Sequence, residues 1–472
     1  MPADLTNTRL WEALQTLSNK ERKAFKRWVQ SPYFNRNERL TKLLAYLLRC
    51  LRRGELPKGP PALRAVQAGK QSPSPSQLRL ACSELHRLLE QFWVHEIRAG
   101  DEVDYYTLLA KALRKRGLQR HRQKAVQRAV KAQEQYPYRH AEFLQQQYAL
   151  SFEEYQEKSA GQRVTDFNLQ ELSDQVDLAY IAQKLRLICI ALSHQTVYKA
   201  DYDLGILDAL LQEVRQRQLY RVPAIGLYYY GYLLIAQPGE ESHFRQLKSL
   251  MLNGSSQLPL AEQRNLYLMA LNYCIKKVNA LREHYYQEAL DLYQFALQHE
   301  LLLENGQLSP FAFNNIVAIA LKVGEVDWSE QFIQTYKPLL ERKHQSSTVH
   351  LNQARVAYSR QHYDKALLHL QKADYKDRIN NLIAKVLQLK IFYELREYDL
   401  VDAHLNALST HIRRQRVMGY HRTNYLNMAR YTRALLHLTP GNDQERAQLR
   451  QSIESESFLT EKEWLLRMLS QT

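Results

Sequence analysis

Glycine and proline are scarce in this chain, 15 and 14 among 472 residues. An all-β protein built on tight turns needs both at its corners, so their scarcity disfavours that class and leaves long helices as the default. Cysteine is scarcer still. Cys50, Cys82, Cys189 and Cys274 lie far apart with no Cys-x-x-Cys pair. That spacing suggests neither a zinc site nor a small disulfide framework, and each cysteine reads as a small buried apolar residue. Long apolar runs are missing too. The greasiest stretches, LLAYLL at 43–48 and ICIAL at 188–192, fall far short of the roughly 20 residues needed to cross a bilayer. The start, MPADLTNTRLWEALQTLSNKERKAF, lacks the basic stretch and continuous apolar stretch of a secretory signal. The expected protein is soluble and cytoplasmic.

What is present reads as helix. Apolar residues make up 45% and charged residues 24% of the chain, ordinary globular usage. At about 150 residues per domain the length allows roughly three units or one long repeat array. Ser18 and Glu21 have the spacing of a capping box that opens ERKAFKRWVQ, and Pro32 stops that helix. Asn35 and Glu38 repeat the start signal before a helix whose Leu40, Leu43, Leu44, Leu47 and Leu48 share one face. Residues 54–75 hold eight glycines and prolines and predict a long loop. Ser76 then caps a helix through Arg98, with Leu78, Cys82, Leu85, Leu88, Leu89 and Phe92 as its apolar stripe. Beyond Asp101 helix follows helix, without a convincing strand. Near the end, Thr460 and Glu463 form another capping-box pattern and Leu459 can staple onto Trp464, so an amphipathic helix containing LLRML closes the array. The resulting division is a basic N-terminal helical module at 1–100, degenerate helical hairpins at 101–258, and regular helical repeats with a C-terminal capping helix at 259–472.

Charge is uneven along the chain. The first 140 residues carry 28 Lys and Arg against 12 Asp and Glu, while the remaining 37 and 37 cancel, so the whole net +16 is N-terminal. A one-signed field suits an acidic partner such as nucleic acid, an anionic membrane surface or an acidic protein tail; it also describes a solvated basic face. One cluster comprises Arg22, Lys23, Lys26 and Arg27, with Arg36 and Arg39 after the turn, near Trp28, Tyr33 and Phe34. The pairs 22/26 and 23/27 lie one turn apart, so the cations form a stripe beside rings that can stack on bases. The same spacing also puts Phe25 and Trp28 on a core face and leaves the cations to solvent. A second cluster comprises Arg114, Lys115, Arg116, Arg120 and Arg122, continued by Lys124, Arg128 and Lys131. Phosphate contacts by such residues would weaken steeply with salt. No reading helix or RNA-binding motif accompanies either cluster. A third, HIRRQRVMGYHR at 411–422, fits a helix C-terminus or a groove lining.

An internal period is the clearest signal. Trp328, Tyr363 and Tyr398 recur every 35 residues, each at the start of a helix: GEVDWSEQF, RQHYDKALL and LREYDLVDA. A further copy lies upstream, where Tyr286, Ala289, Tyr293 and Ala296 alternate aromatic and small residues. Small residues let two helices approach while the rings fill the gap between neighbouring hairpins. These residues resemble the tetratricopeptide repeat family, a helix-turn-helix unit of about 34 residues. Tyr286, Ala289, Ala296, Tyr363, Ala366 and Ala373 fit the second-helix motif, whereas Gln331, Val401, Pro338 and Leu408 depart from it. The likeness covers roughly residues 260–410. Separately, LSNKERKAFKRWVQSPYFNRNERLTKLL is similar to the N-terminus of a family of large bacterial proteins with no assigned function, which supplies no activity. The repeat resemblance implies an all-α fold, an α-solenoid whose hairpins stack into a superhelix. It also implies a concave surface lined by the first helices, at Leu351, Arg355, Tyr358, Lys390 and Tyr393.

Catalytic templates find no match. Gly69-Lys70 lacks the upstream glycine and following hydroxyl of a phosphate loop, and His95-Glu96 lacks the second histidine of a zinc helix. The pairs His344/His350 and His362/His369 match no metal-ligand spacing on one face. No catalytic residue, cofactor or metal is therefore expected. The 30 tyrosines, several in runs, fit inter-repeat packing or a gripping surface. The expected function is a non-catalytic scaffold or adaptor that binds a protein or peptide; the alternative is a nucleic-acid-associated regulator using the basic N-terminal 140 residues.

Overall fold

The structure, a computed structural model, describes residues 5–67, 74–160, 167–198, 200–254, 257–280, 282–372, 378–414, 419–439 and 441–471. Among them every regular element is helical apart from one pair of two-residue strands. The chain divides into two compact units, Met1–Pro137 with Glu142–Ala179, and Tyr138–Ala141 with Tyr180–Thr472.

In the first unit α1 (Arg9–Thr16), α2 (Asn19–Gln30), α3 (Glu38–Arg53), α4 (Gly59–Ala65) and α5 (Pro75–Gly100) share one core. The Ser18 capping box forms: the Glu21 amide donates to Ser18 Oγ at 3.3 Å and the Ser18 amide to Glu21 Oε2 at 2.7 Å. Two amides that have no partner within the helix are thereby satisfied. The leucine face of α3 is buried in one cluster with Leu14, Phe25, Leu85 and Phe92. Three local expectations shift. Asn37, not Asn35, caps α3, its Oδ1 accepting from the Arg39 amide at 3.1 Å. The stretch expected as a loop contains α4, because Pro60 and Pro61 fall in its first turn, where a missing amide costs no helical hydrogen bond. Ser74 rather than Ser76 caps α5, with Pro75 opening the helix and Gln77 completing a capping box. Residues 68–73 of the expected loop lie outside the described residues.

Further along, α6 (Glu102–Arg114) packs on α7 (Gln119–Gln135), and Ala110, Ala125, Val126 and Ala129 meet Leu150 of α8 (Ala141–Ala160). Small residues on facing stripes let these helices close. Helix α9 (Leu169–Tyr198) contributes its first residues to this unit and its remainder to the second.

The second unit continues with α10 (Leu207–Gln216), α11 (Pro223–Ala236), α12 (Glu241–Gly254), α13 (Leu260–Asn279) and α14 (His284–Gln298). Strands β1 (Leu303–Glu304) and β2 (Gln307–Leu308) pair antiparallel around Asn305-Gly306, whose φ values of 52° and 76° are those of an Asn-Gly hairpin turn. Then come α15 (Pro310–Val323), α16 (Val326–Tyr336), α17 (Arg342–Ser359), α18 (Tyr363–Lys372), α19 (Arg378–Glu394) and α20 (Tyr398–Arg414). The last helices are α21 (Gly419–Leu436), α22 (Asp443–Ser455) and α23 (Lys462–Gln471). Consecutive helices pair, α11 with α12, α13 with α14, α15 with α16, α17 with α18 and α19 with α20. The first members also touch along the chain, α11 with α13, α15 with α17, and α17 with α19.

The recurring aromatics stand at the starts of second members, Tyr363 opening α18 and Tyr398 opening α20, with Trp328 in the first turn of α16. Ala289, Ala296, Ala354 and Ala366 are fully buried, as a close crossing requires; Ala373 lies outside the described residues. All four cysteines are buried thiols, and burial pushes Cys82 up to about 11 and Cys274 to about 12. No helix among the described residues is long and apolar enough to cross a membrane.

Candidate functional site

Residues from seven helices of the second unit, α15, α17, α18, α19, α20, α21 and α23, converge on a cleft of about 1170 Å³. Arg355 and Tyr358 sit three apart on α17, and Lys390, Tyr393 and Glu394 three and four apart on α19, so each set shares one helical face. Helix α23 supplies the facing wall with Glu463, Trp464 and Arg467, preceded by Glu461. Lys322 enters from the end of α15, and Tyr398 from the start of α20.

Two carboxylates organise the cleft. Glu394 accepts from four donors: the Tyr358 hydroxyl, the Tyr363 hydroxyl at 2.7 Å, the Trp464 indole N–H at 2.7 Å and Arg467 at 3.2 Å. Burial, then the neighbouring Glu394, raises the Tyr358 phenol far above its ordinary range, and the same causes bring Tyr363 to about 12. Both hydroxyls therefore stay protonated as donors at neutral pH. Glu461, in the left-handed region at φ 57°, pairs with Lys390 Nζ at 2.7 Å. The Lys390 ammonium also lies 4.8 Å from the Tyr358 ring centre, a cation–π position. Trp464 meets Tyr393 edge-on at 5.4 Å. On the far side Glu463 accepts from the Tyr286 hydroxyl at 2.7 Å and pairs with Lys322. The Glu463 carboxylate thus bonds other helices in place of the expected local capping box.

Burial raises the Glu461 carboxyl, but Lys390, Lys322 and Arg355 outweigh it and hold the group at about 2, below its ordinary 4.5. A depressed folded pKa contributes stability that is complete above the unfolded value and lost as pH falls through the folded one. The Glu461 side chain is 30% exposed, and the shift is worth on the order of 3 kcal/mol. Urea unfolding of the wild type against Glu461→Gln, from pH 6 down to pH 2, is expected to show a gap that narrows across about pH 4.5 to 2. A gap independent of pH would remove the ion pair as its source.

Of the five residues assigned to a concave surface, Arg355, Tyr358, Lys390 and Tyr393 line the cleft. Leu351 does not: it is fully buried in the core formed with Ala354, Ala366 and Leu387. Arg355 donates to the Asn314 carbonyl at 2.9 Å and to Asn352 Oδ1 at 3.1 Å. Among the cleft residues that sequence reasoning does not place there are Lys322, Glu394, Glu461 and Trp464, whose partners lie tens of residues away.

The basic clusters separate by environment. Lys23, Lys26, Arg27, Arg36 and Arg39 are exposed, and Arg22 is half-buried with Nη2 directed at the Gln15 carbonyl at 3.5 Å. In the second cluster Lys115, Arg116 and Arg120 are exposed, but two members turn inward. Arg122 is buried against Glu153 and Glu157, and Arg114 binds Glu153 at 2.7 Å. Arg114 and Arg122 thus fasten α6 and α7 to α8 rather than lining a polyanion surface. Of the third cluster, His411, Arg413 and Arg414 fall in the last turn of α20, where cations favour the helix dipole, and 415–418 lie outside the described residues. The histidines pair differently from their sequence spacing: His350 and His369 approach at 3.2 Å between their Nδ1 atoms. Burial first, then Lys372 for His350 and His350 itself for His369, lowers the pKa of both. No protein-family model, curated protein or solved structure matches the chain.

Proposed function

We propose that the chain is a non-catalytic scaffold that holds a segment of a partner protein in the cleft of its second unit, on a tetratricopeptide-like stack of helical hairpins. Hairpins of this kind cannot bury their apolar faces singly, so neighbours complete the core and leave an extended surface for binding. The pairing of α15, α17 and α19 along the chain supports that arrangement. The observation that carries the reading is the cleft itself, where Arg355, Tyr358, Lys390 and Tyr393 of two successive hairpins face one space. Tyrosine and arginine dominate binding hot spots because they join apolar area to hydrogen-bonding capacity.

The cleft's exposed rim provides the test, since Arg396 and Tyr398 line it without holding α23 in place. Random peptides displayed on phage are selected against the full-length protein, and dissociation constants of the selected peptides are measured by isothermal titration. Tyr398→Ala and Arg396→Glu are each expected to weaken binding about tenfold with the melting temperature unchanged. Selection that yields no peptide, or peptides indifferent to both substitutions, rejects the cleft as the binding surface.

A further inference from the structure

The first unit carries a surface of different chemistry, independent of the cleft. In the turn between α2 and α3, Tyr33 is 87% exposed and its ring stands edge-on to Phe34 at 5.0 Å. Phe34 is stacked on Trp28 at 3.6 Å with an interplanar angle of 13°, and Trp28 meets His95 of α5 at 4.9 Å. Four rings from two helices and a turn therefore stand in a row with its outer end in water. The turn is tied down by Asn35, whose Nδ2 donates to the Val29 carbonyl at 2.8 Å while its Oδ1 accepts from the Asn37 amide at 2.9 Å. Ordering these rings in advance lowers the conformational entropy lost when a ligand binds.

Cations flank the row. Two recesses of about 850 and 530 Å³ adjoin it and share Phe34 and Arg87. The first is lined by Arg36, Arg39 and Lys42, the second by Arg98 beside Trp28 and His95. None of these five cations has a carboxylate within ion-pair distance among the described residues. The carboxylates that face the same recesses are Glu38, Glu84 and Glu90; Glu84 accepts from Asn37 at 3.3 Å and Glu90 lies 3.5 Å from His86. The balance is therefore cationic, within a stretch of chain that carries the entire net charge.

We propose that this surface binds single-stranded nucleic acid, with bases stacking on Tyr33 and the Phe34–Trp28 pair and phosphates meeting Arg36, Arg39, Lys42, Arg87 and Arg98. A row of rings flanked by cations matches a strand in which planar bases are joined by phosphates. A duplex hides its base faces and offers only its charge to such a surface. A lipid headgroup layer or an acidic peptide makes use of the cations but leaves the row of rings without a partner. The first cluster of the sequence thus divides: Arg36 and Arg39 join Lys42, Arg87 and Arg98 around the aromatic row.

The test is fluorescence anisotropy of a labelled oligouridylate of about 15 nucleotides titrated with the full-length protein. Parallel arms use an oligothymidylate, a DNA duplex of the same length, heparin and phosphatidylserine vesicles. Single strands are expected to bind at least about tenfold more tightly than the duplex, with the logarithm of the affinity falling linearly with that of the salt concentration. Tyr33→Ala is expected to weaken single-strand binding about tenfold and leave the salt slope unchanged. Arg36→Gln with Arg39→Gln is expected to reduce the magnitude of that slope by about 1.4, the share of two phosphate contacts. Tyr33, Arg36 and Arg39 are exposed, so all variants should keep the wild-type melting curve. Equal affinity for single strand, duplex and heparin with no effect of Tyr33→Ala would overturn the proposal in favour of nonspecific polyanion attraction. Binding to vesicles alone, or to none of the probes, would also overturn it.

Discussion

Replacing Arg122 by alanine is expected to lower the stability of the first unit by about 3–5 kcal/mol, the cost of stranding a charge by breaking a buried ion pair. The guanidinium side chain is 2% exposed. Its Nη2 donates to the Glu153 carbonyl at 2.7 Å, its Nη1 pairs with Glu157, and Glu153 Oε1 stands 3.6 Å from its Nε. In the alanine variant Glu153 keeps Arg114, at 2.7 Å, but Glu157 loses its partner. An uncompensated charge at a helix interface costs more than the pair itself contributes, so a second substitution separates the two effects. Arg122→Met combined with Glu157→Leu should recover most of the loss, because apolar groups of similar volume need no solvation. Guanidinium denaturation of the three proteins, with amide hydrogen exchange read along α6, α7 and α8, measures this directly. A loss below about 1 kcal/mol for Arg122→Ala would mean that the pair is solvated in solution, since exposed pairs are worth that little.

The same arginine shows why charge counting and face reading give different answers. In RHRQKAVQRAV the basic residues form a dense run, yet Arg122 shares spacings of three, four and seven with Ala125, Val126 and Ala129, all buried. Helical periodicity places it on the core side, whereas the linear density places it among phosphate contacts. Local features were legible for a related reason. A capping box such as Ser18 with Glu21 is completed within one turn, and the leucines of α3 declare their face by spacing alone. Asn35 and Asn37 were not separable by that logic, because each can accept a backbone amide and the choice depends on Thr41 and Val29 across the turn. Helix α4 escaped because proline forbids a helix interior but not its first turn. At the cleft, the 35-residue period brings Arg355 and Lys390 into register, and it does so without any knowledge of the far wall. Leu351 lies one turn before Arg355 on α17 and turns into the core with Ala354. Glu394 illustrates the remaining gap. Its donors are Tyr358, Tyr363, Trp464 and Arg467, so the acceptor on one helix is satisfied from three others. No spacing rule connects residues that far apart, and only the folded chain shows the carboxylate to be a junction.

That junction makes Trp464→Ala the second large effect, expected at about 4 kcal/mol in the second unit from the loss of a buried aromatic side chain. Trp464 is 2% exposed and packs in one cluster with Tyr393, Leu405, Met428 and Ile453. Its indole N–H is also one of the four donors to Glu394. Trp464→Phe separates packing from hydrogen bonding: most of the apolar contact survives, and the loss should shrink to about 2 kcal/mol, the worth of a hydrogen bond to a charged group. The indole forms part of the cleft wall as well as part of the core, so stability and binding are expected to move together in the alanine variant. Tyr398→Ala, at the exposed rim, should weaken peptide binding while the unfolding midpoint stays in place. If Trp464→Ala instead keeps full peptide affinity at a temperature where it is folded, α23 is a cap on the core and no part of the recognition surface. The peptide contacts would then lie on α17 and α19, where Arg355, Tyr358, Lys390 and Tyr393 reach the cleft, and on the rim at Arg396 and Tyr398.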